Sequence, residues 1–233
     1  MTQSIIPIFN PRAVPHMAWS EHAKMPAWIE QNWQSLNRIF IKRALMHAQD
    51  VSDLWRQDVC LSENVRHAAV LVLLIESEQG YDVVLTTRAA HLRHHAGQVS
   101  FVGGRIEASE TAVQAALREA NEEIGLNPDD VMILGAMPDY QTITGFCVTP
   151  IVAVMSASLW QAQTIRIDAQ EVDQMFTVPL RTLFDRTQVR VHTFEYAEKS
   201  RVFLSITHGE FFIWGASMAM LHNFDLILRA GFE

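Results

Sequence analysis

Apolar residues fall along this chain in short runs with two different periods, and the two periods alternate irregularly. His67–Ile75 is a leucine-rich and β-branched run bounded by turn residues, and Tyr81–Thr87 follows it across the Gln79-Gly80 turn, so the pair predicts two strands. Further strand patterns cover Val131–Met137, Phe146–Met155, Val189–Tyr196, Val202–Thr207 and Phe211–Trp214. Helical spacing predicts helices over Glu110–Ile124 and from Ala216 to Arg229. A third is predicted from Pro26 to Ala48, where Trp28, Ile29, Trp33, Leu36, Ile39, Phe40 and Leu45 form the apolar stripe. Strands and helices do not alternate one for one, which predicts an α/β protein with a mixed β-sheet covered by helices. Pro7, Pro11 and Pro15 predict an irregular arm at the start. The pattern thus divides the chain into an N-terminal arm and helical extension, 1–60, and a main domain, 61–233.

Composition narrows the function classes. With 233 residues and 49% of them apolar, the chain can bury a large core. Its 18 Lys and Arg against 26 Asp and Glu give a formal charge of −8, which disfavours a nucleic-acid surface, since such binding rests on cations neutralising phosphates. The longest apolar run, His67–Ile75, stops at Glu76, far short of a membrane span, and the first residues lack the basic-then-apolar order of a signal peptide. A cytoplasmic location is expected. Cys60 and Cys147 stand far apart without metal-ligand spacing, so both are expected to be reduced thiols.

Chemistry concentrates in Gly104–Leu126, GRIEASETAVQAALREANEEIGL. Ser109 is a candidate helix cap, and Gly125 falls where helices end in a left-handed residue. At about 100° per residue, Glu119, Glu122 and Glu123 share one side of the helix, whereas Val113, Leu117, Ala120 and Ile124 form an apolar stripe that would dock on the sheet. Ala112 and Ala115 lie on the glutamate side, where short side chains would leave room for a ligand. Three neighbouring carboxylates repel one another, and a hard divalent cation such as Mg²⁺ removes that penalty. A solvated Glu/Ala/Arg-rich helix is the ordinary alternative for such a cluster.

That alternative does not explain the spacing. The segment resembles the Nudix box, G-x5-E-x7-R-E-U-x-E-E-x-G-U with U apolar, at Gly104, Glu110, Arg118, Glu119, Ala120, Glu122, Glu123, Gly125 and Leu126. Seven of those positions specify one residue type, a match expected by chance roughly once in 10^8 starts. Upstream, Val84–Gly104 is similar to the signature of coenzyme A pyrophosphatases, L-L-T-x-R-S/A-x3-R-x3-G-x3-F-P-G-G, at Leu85, Thr86, Arg88, Ala89, Arg93, Gly97, Phe101, Gly103 and Gly104. Val102 stands where that family has proline, a change expected to loosen the turn into the box. Downstream, Ile143–Met155, Glu171–Phe184 and Phe212–Leu221 also resemble the family, so the likeness spans roughly 66–225.

The resemblance implies a Nudix-type α/β/α sandwich and metal-dependent hydrolysis of a diphosphate linkage with Mg²⁺ or Mn²⁺ as cofactor. For coenzyme A the implied products are 3′,5′-ADP and 4′-phosphopantetheine; ADP-ribose or a dinucleotide is the alternative substrate, and a Nudix-fold binding module without catalysis a further one. By resemblance, Glu119 and Glu123 would be the main metal ligands, Glu122 a further ligand or base, the Gly104 carbonyl a backbone ligand and Glu171 an additional base or metal contact. Glu110, Arg118 and Gly125 would be structural. Arg88, Arg93 and Arg105 would contact substrate phosphates, because a guanidinium matches phosphate oxygens bidentately. His91, His94 and His95 suggest zinc weakly, since no fourth ligand stands near them in sequence. The resemblance also allows a homodimer.

Overall fold

A computed structural model describes residues 10–19, 32–55, 65–196 and 199–232. Pro7, Trp28, Ile29 and Cys60, which figured in the expectations above, lie outside the described residues.

In chain order the strands are β1 (His16–Ala18), β2 (Arg66–Ser77), β3 (Gly80–Arg88), β4 (Val99–Ser100), β5 (Val102–Arg105), β6 (Met132–Ala136), β7 (Tyr140–Gln141), β8 (Phe146–Ser156), β9 (Val172–Pro179), β10 (Arg190–Tyr196), β11 (Lys199–His208) and β12 (Phe211–Trp214). The helices are α1 (Arg38–Met46), α2 (Ala112–Ile124), α3 (Ala157–Ala162), α4 (Leu180–Leu183) and α5 (Gly215–Ala230). β2 and β8 form the centre of a mixed sheet, parallel from Arg66 opposite Phe146 to Glu76 opposite Ser156. β3 and β5 pair with β2, β6 and β7 with β8, and β4 and β9 with β3, all antiparallel. Both faces of β2 are covered, which is why its sequence reads as one continuous apolar run instead of an alternating one.

The two faces carry separate cores. On one face α2 packs through Ala115, Ala116, Ala120 and Ile124, all with no exposed surface, against Ala69, Leu71, Val102 and Ile151. On the other, Ala68, Val72, Val83 and Leu85 meet α1, α5 and residues of β11 and β12. The result is the expected α/β/α sandwich with a mixed sheet, with one addition: β10, β11 and β12 leave the main sheet and form a second antiparallel sheet with β1. Their sequence predicts strands but not which sheet they join, because both sheets bury the same kind of side chain.

Three expectations are corrected here. Part of the proline-rich arm is regular, since β1 pairs with β10 and places His16 opposite His192. The helix expected from 26 to 48 is interrupted: after a 3-10 turn at Trp33–Ser35, Asn37 caps α1 by accepting the Phe40 N–H at 3.0 Å. This new start rotates Ile39 out of the stripe, and it is 82% exposed. Val102 does not loosen the chain: it is fully buried, opposite Leu71 in the β2–β5 ladder, where a β-branched side chain fills the core under α2. α1 shares its core with the main domain through Ile41, Ala44 and Leu45.

Candidate active site

The site forms where α2 crosses the end of β5. Thr111, not Ser109, caps α2: its hydroxyl accepts the Gln114 N–H at 3.3 Å, and Gln114 Oε1 accepts the Thr111 N–H at 2.8 Å. Ser109 sits at φ 76 in the preceding turn, a backbone setting unlike a cap. At the other end Gly125 adopts the left-handed conformation, φ 69 and ψ 22, as its position predicts.

Glu110 and Arg118 hold the loop to the helix. Arg118 Nε donates to Glu110 Oε1 at 2.7 Å, and Nη2 donates to Glu110 Oε2 and to the Arg105 carbonyl, both at 3.1 Å. The Arg118 guanidinium holds the Glu110 carboxyl below the usual carboxylate range, helped by the Glu107 N–H. Arg118 Nη1 also donates to Glu119 at 2.9 Å and to Glu122 at 3.0 Å. One guanidinium therefore neutralises part of the acidic cluster and fixes two of its members.

The three box glutamates do not share one environment. Glu122 is exposed and turned toward Arg118. Glu119 is half-buried beside Gly104, so close that a Cβ at residue 104 would lie 2.3 Å from Glu119 Oε1. A side chain there would displace the Glu119 carboxylate. Glu123 is 4% exposed, which corrects the expectation that the carboxylates all face outward. Seven residues advance a helix by about 700°, or nearly two full turns, so Glu123 continues the stripe of Ala116 and Ala120 that faces the sheet. It enters where β5 carries Gly103 and Gly104, and the Gly103 N–H points at Glu123 Oε2 from 3.4 Å. Ala115 is corrected likewise: it is buried in the α2–sheet contact, where its small size sets how closely the helix approaches.

Burial pushes the Glu123 carboxyl up to about 8, with the nearby charges of Glu171 and Glu119 adding to the effect and Arg88 opposing it. Burial also raises Glu119, against the pull of Arg118 and with the repulsion of Glu122 and Glu171. Glu171 thus belongs electrostatically to the same cluster. The fold delivers it by the turn before β9: the Glu171 carbonyl accepts the Ala89 N–H at 2.9 Å, next to Arg88 at the end of β3.

Of the three arginines, Arg88 is brought to the cluster. Arg93 is exposed in the loop after β3, without a carboxylate at ion-pair distance among the described residues. Arg105 is directed elsewhere. Strand alternation sends it to the face of its partner Ala68, opposite to that of Gly104 and Ala69, and its guanidinium lies 5.8 Å from the centre of the Phe146 ring. His91, His94 and His95 are exposed, and His95 bonds Gln98 at 2.8 Å. Among the described residues, no three His, Cys, Asp or Glu side chains stand around a common point as a ready-made metal cage.

The donor set nevertheless suits a hard divalent cation: Glu119 beside Gly104, the buried Glu123 beside Gly103, and Glu171 close enough to repel both. A cation would offset both the burial and the repulsion that raise Glu119 and Glu123.

Known proteins resemble this chain at the level of the family. The model of the NUDIX domain matches residues 65–198. Proteins described as "Uncharacterized Nudix hydrolase NudL" from Salmonella paratyphi B (strain ATCC BAA-1250 / SPB7) and Salmonella newport (strain SL254) are each 35% identical over 171 residues, covering 72% of this chain and 84% of theirs. Among solved structures, the M. smegmatis Nudix hydrolase RenU is 24% identical, covers 55% of this chain and 81% of its own, and has a TM-score of 0.43. The chain belongs to the Nudix family. Within that family it is a Nudix hydrolase, a pyrophosphohydrolase of the kind that is typically dependent on a divalent metal and acts on nucleotide diphosphates. Among the described residues no helix is long and apolar enough to cross a membrane.

Proposed function

We propose that this enzyme hydrolyses the diphosphate linkage of coenzyme A, or of its acyl or oxidised forms, to 3′,5′-ADP and 4′-phosphopantetheine. The observation that carries the reading is the position of Arg88. The signature residue that resembles the coenzyme A pyrophosphatases ends β3 close enough to oppose the raised pKa of Glu123, beside Glu171.

In this reading Glu119, Glu123 and the Gly104 carbonyl hold Mg²⁺ or Mn²⁺. When bound, the cation supplies Lewis-acid neutralisation of the diphosphate charge and makes water easier to ionise. Arg88 binds a phosphate oxygen through its fork of N–H donors. Glu171 accepts the proton of the attacking water; Glu122 is the less well placed base, because Arg118 holds it to the side. Arg93, exposed on the loop between Ala89 and Gln98, reaches for the separate 3′-phosphate. Arg105 contacts substrate only from the Phe146 side of the sheet.

The test is product analysis with coenzyme A, its acyl and oxidised forms, ADP-ribose and NADH side by side, with Mg²⁺ and with Mn²⁺. Release of 3′,5′-ADP from coenzyme A at a kcat/KM above the other substrates is expected. Preference for ADP-ribose or NADH would move the assignment to another nucleoside diphosphate derivative within the same family.

A further inference from the structure

The carbonyls that end a helix have no partner within it, and two of those that end α2 are taken by one later segment of the chain. The Ile124 carbonyl accepts the Arg166 N–H at 3.1 Å, and the Glu123 carbonyl accepts the Asp168 N–H at 2.9 Å. Gly125 makes that approach possible, because a Cβ at residue 125 would lie 3.1 Å from the Arg166 nitrogen and 3.2 Å from its Cβ. Glu123 therefore serves twice: its side chain belongs to the acidic cluster, and its backbone carries the segment that follows α3.

That segment delivers Glu171, and Asp168 folds it into a turn. The Asp168 carbonyl accepts the Glu171 N–H at 3.0 Å and the Val172 N–H at 2.9 Å, while its Oδ1 accepts the Gln170 N–H at 2.9 Å. An aspartate bonded to the backbone two residues on is a local device that fixes a turn. The strand beyond is less able to do so. Between Thr87 and Arg88 the β3–β9 register shifts, with Thr87 opposite Gln174 and Arg88 opposite Val172, so the ladder is irregular where Glu171 enters it. The Asp168 side chain is exposed, and the negative end of a helix disfavours a carboxylate beside it. Neither burial nor charge explains this residue, whereas its bond to Gln170 does.

We propose that Asp168 is a positioning residue for the hydrolysis: it shapes the turn that, hung from the last carbonyls of α2, holds Glu171 at the cluster of Glu119 and Glu123. The inference rests on the reading of Glu171 as the acceptor of the proton from the attacking water. In that reading one helix holds the cation from its side and aligns the base from its end, so the two keep a fixed relation. Asp168 touches neither substrate nor cation and acts only through the place it gives Glu171.

The experiment is steady-state kinetics of the full-length enzyme with Mg²⁺, using whichever of the diphosphates above the wild type cleaves best, so it does not depend on coenzyme A being the substrate. The variants are Asp168→Ala, Asp168→Asn, Asp168→Glu, Glu171→Gln and the double variant Asp168→Ala/Glu171→Gln. Glu171→Gln should lower kcat about 100-fold, as loss of a positioned base does. Asp168→Ala should lower kcat about tenfold through misplacement of that base, with KM within about twofold of the wild type. Asn keeps the acceptor and loses the charge, so Asp168→Asn should restore kcat to within about twofold of the wild type. Glu keeps the charge on a side chain too long for the same turn, and Asp168→Glu should behave like Asp168→Ala. Because Asp168 acts through Glu171, the double variant should be no slower than Glu171→Gln. Wild-type kcat in Asp168→Ala, an Asn variant as slow as the Ala variant, or losses that multiply in the double variant overturns the inference. If Asp168→Ala fails to fold, the contrast between the Asn and Glu variants decides. An impaired Glu171→Gln beside an unimpaired Asp168→Ala defeats the positioning role alone, whereas wild-type kcat in Glu171→Gln defeats the proton-acceptor reading and the positioning role with it.

Discussion

Two carboxylates are buried in this protein almost equally, and the protein treats them in opposite ways. Asp225, on α5, is 2% exposed and accepts hydrogen bonds from Arg186 at 2.9 Å and Arg229 at 3.0 Å. Glu123, on α2, is 4% exposed and has one long contact, the Gly103 N–H at 3.4 Å. Burial raises both carboxyls; two guanidiniums pull Asp225 back, whereas Glu171 and Glu119 push Glu123 higher, with Arg88 and the Gly103 N–H opposing. A carboxylate held by two guanidiniums supports a fold, while a buried carboxyl left facing like charges is relieved only by taking up a proton or a cation. The difference separates a structural acid from one kept for chemistry.

The largest expected effect breaks the Glu123 side of this comparison. Glu123→Gln should lower kcat by about three orders of magnitude, or ~4 kcal/mol of transition-state stabilisation, while the melting temperature of the metal-free protein stays level or rises. Near-normal turnover in steady-state assays would remove Glu123 from the machinery. Asp225→Asn should do the reverse: chemical denaturation should show a loss of about 3 kcal/mol in stability, because two partly buried guanidiniums lose their buried counter-charge, with kcat preserved in the folded fraction.

The pH dependence sharpens the contrast. Glu123 is raised to about 8 in the fold from an ordinary 4.5, so the folded state binds the extra proton between those values, and the metal-free protein should lose stability as pH rises across that window. Urea midpoints measured from pH 5 to 8 should fall for the wild type and stay flatter for Glu123→Gln. A wild-type profile that rises over the same range would contradict the assigned burial. The smallest effect tests the helix that carries the site: Thr111→Ala removes a cap and should cost about 1 kcal/mol in thermal or urea unfolding, whereas Ser109→Ala should change stability far less.

How much of the site could be read in advance depends on the range over which each feature is encoded. The helix α2, its left-handed end at Gly125 and the Glu110–Arg118 brace follow from spacing within one short segment. Ser109 was the wrong cap because two hydroxyls, at 109 and 111, satisfy the local pattern, and only the turn at Glu107–Glu110 decides between them. Arg105 looked like a phosphate ligand beside Gly104, yet strand alternation in β5 sends it to the other face.

By itself the sequence determined the family, the helix and the short-range spacing of its carboxylates, because these depend on residues within a few turns of one another. Only the tertiary structure decided that Glu123 is the buried member, that Glu171 joins it from the turn before β9, and that β10 to β12 leave the main sheet and pair with β1. Burial and strand partnership are set by contacts between segments far apart in the chain, where a local pattern fits several arrangements equally well and packing selects one.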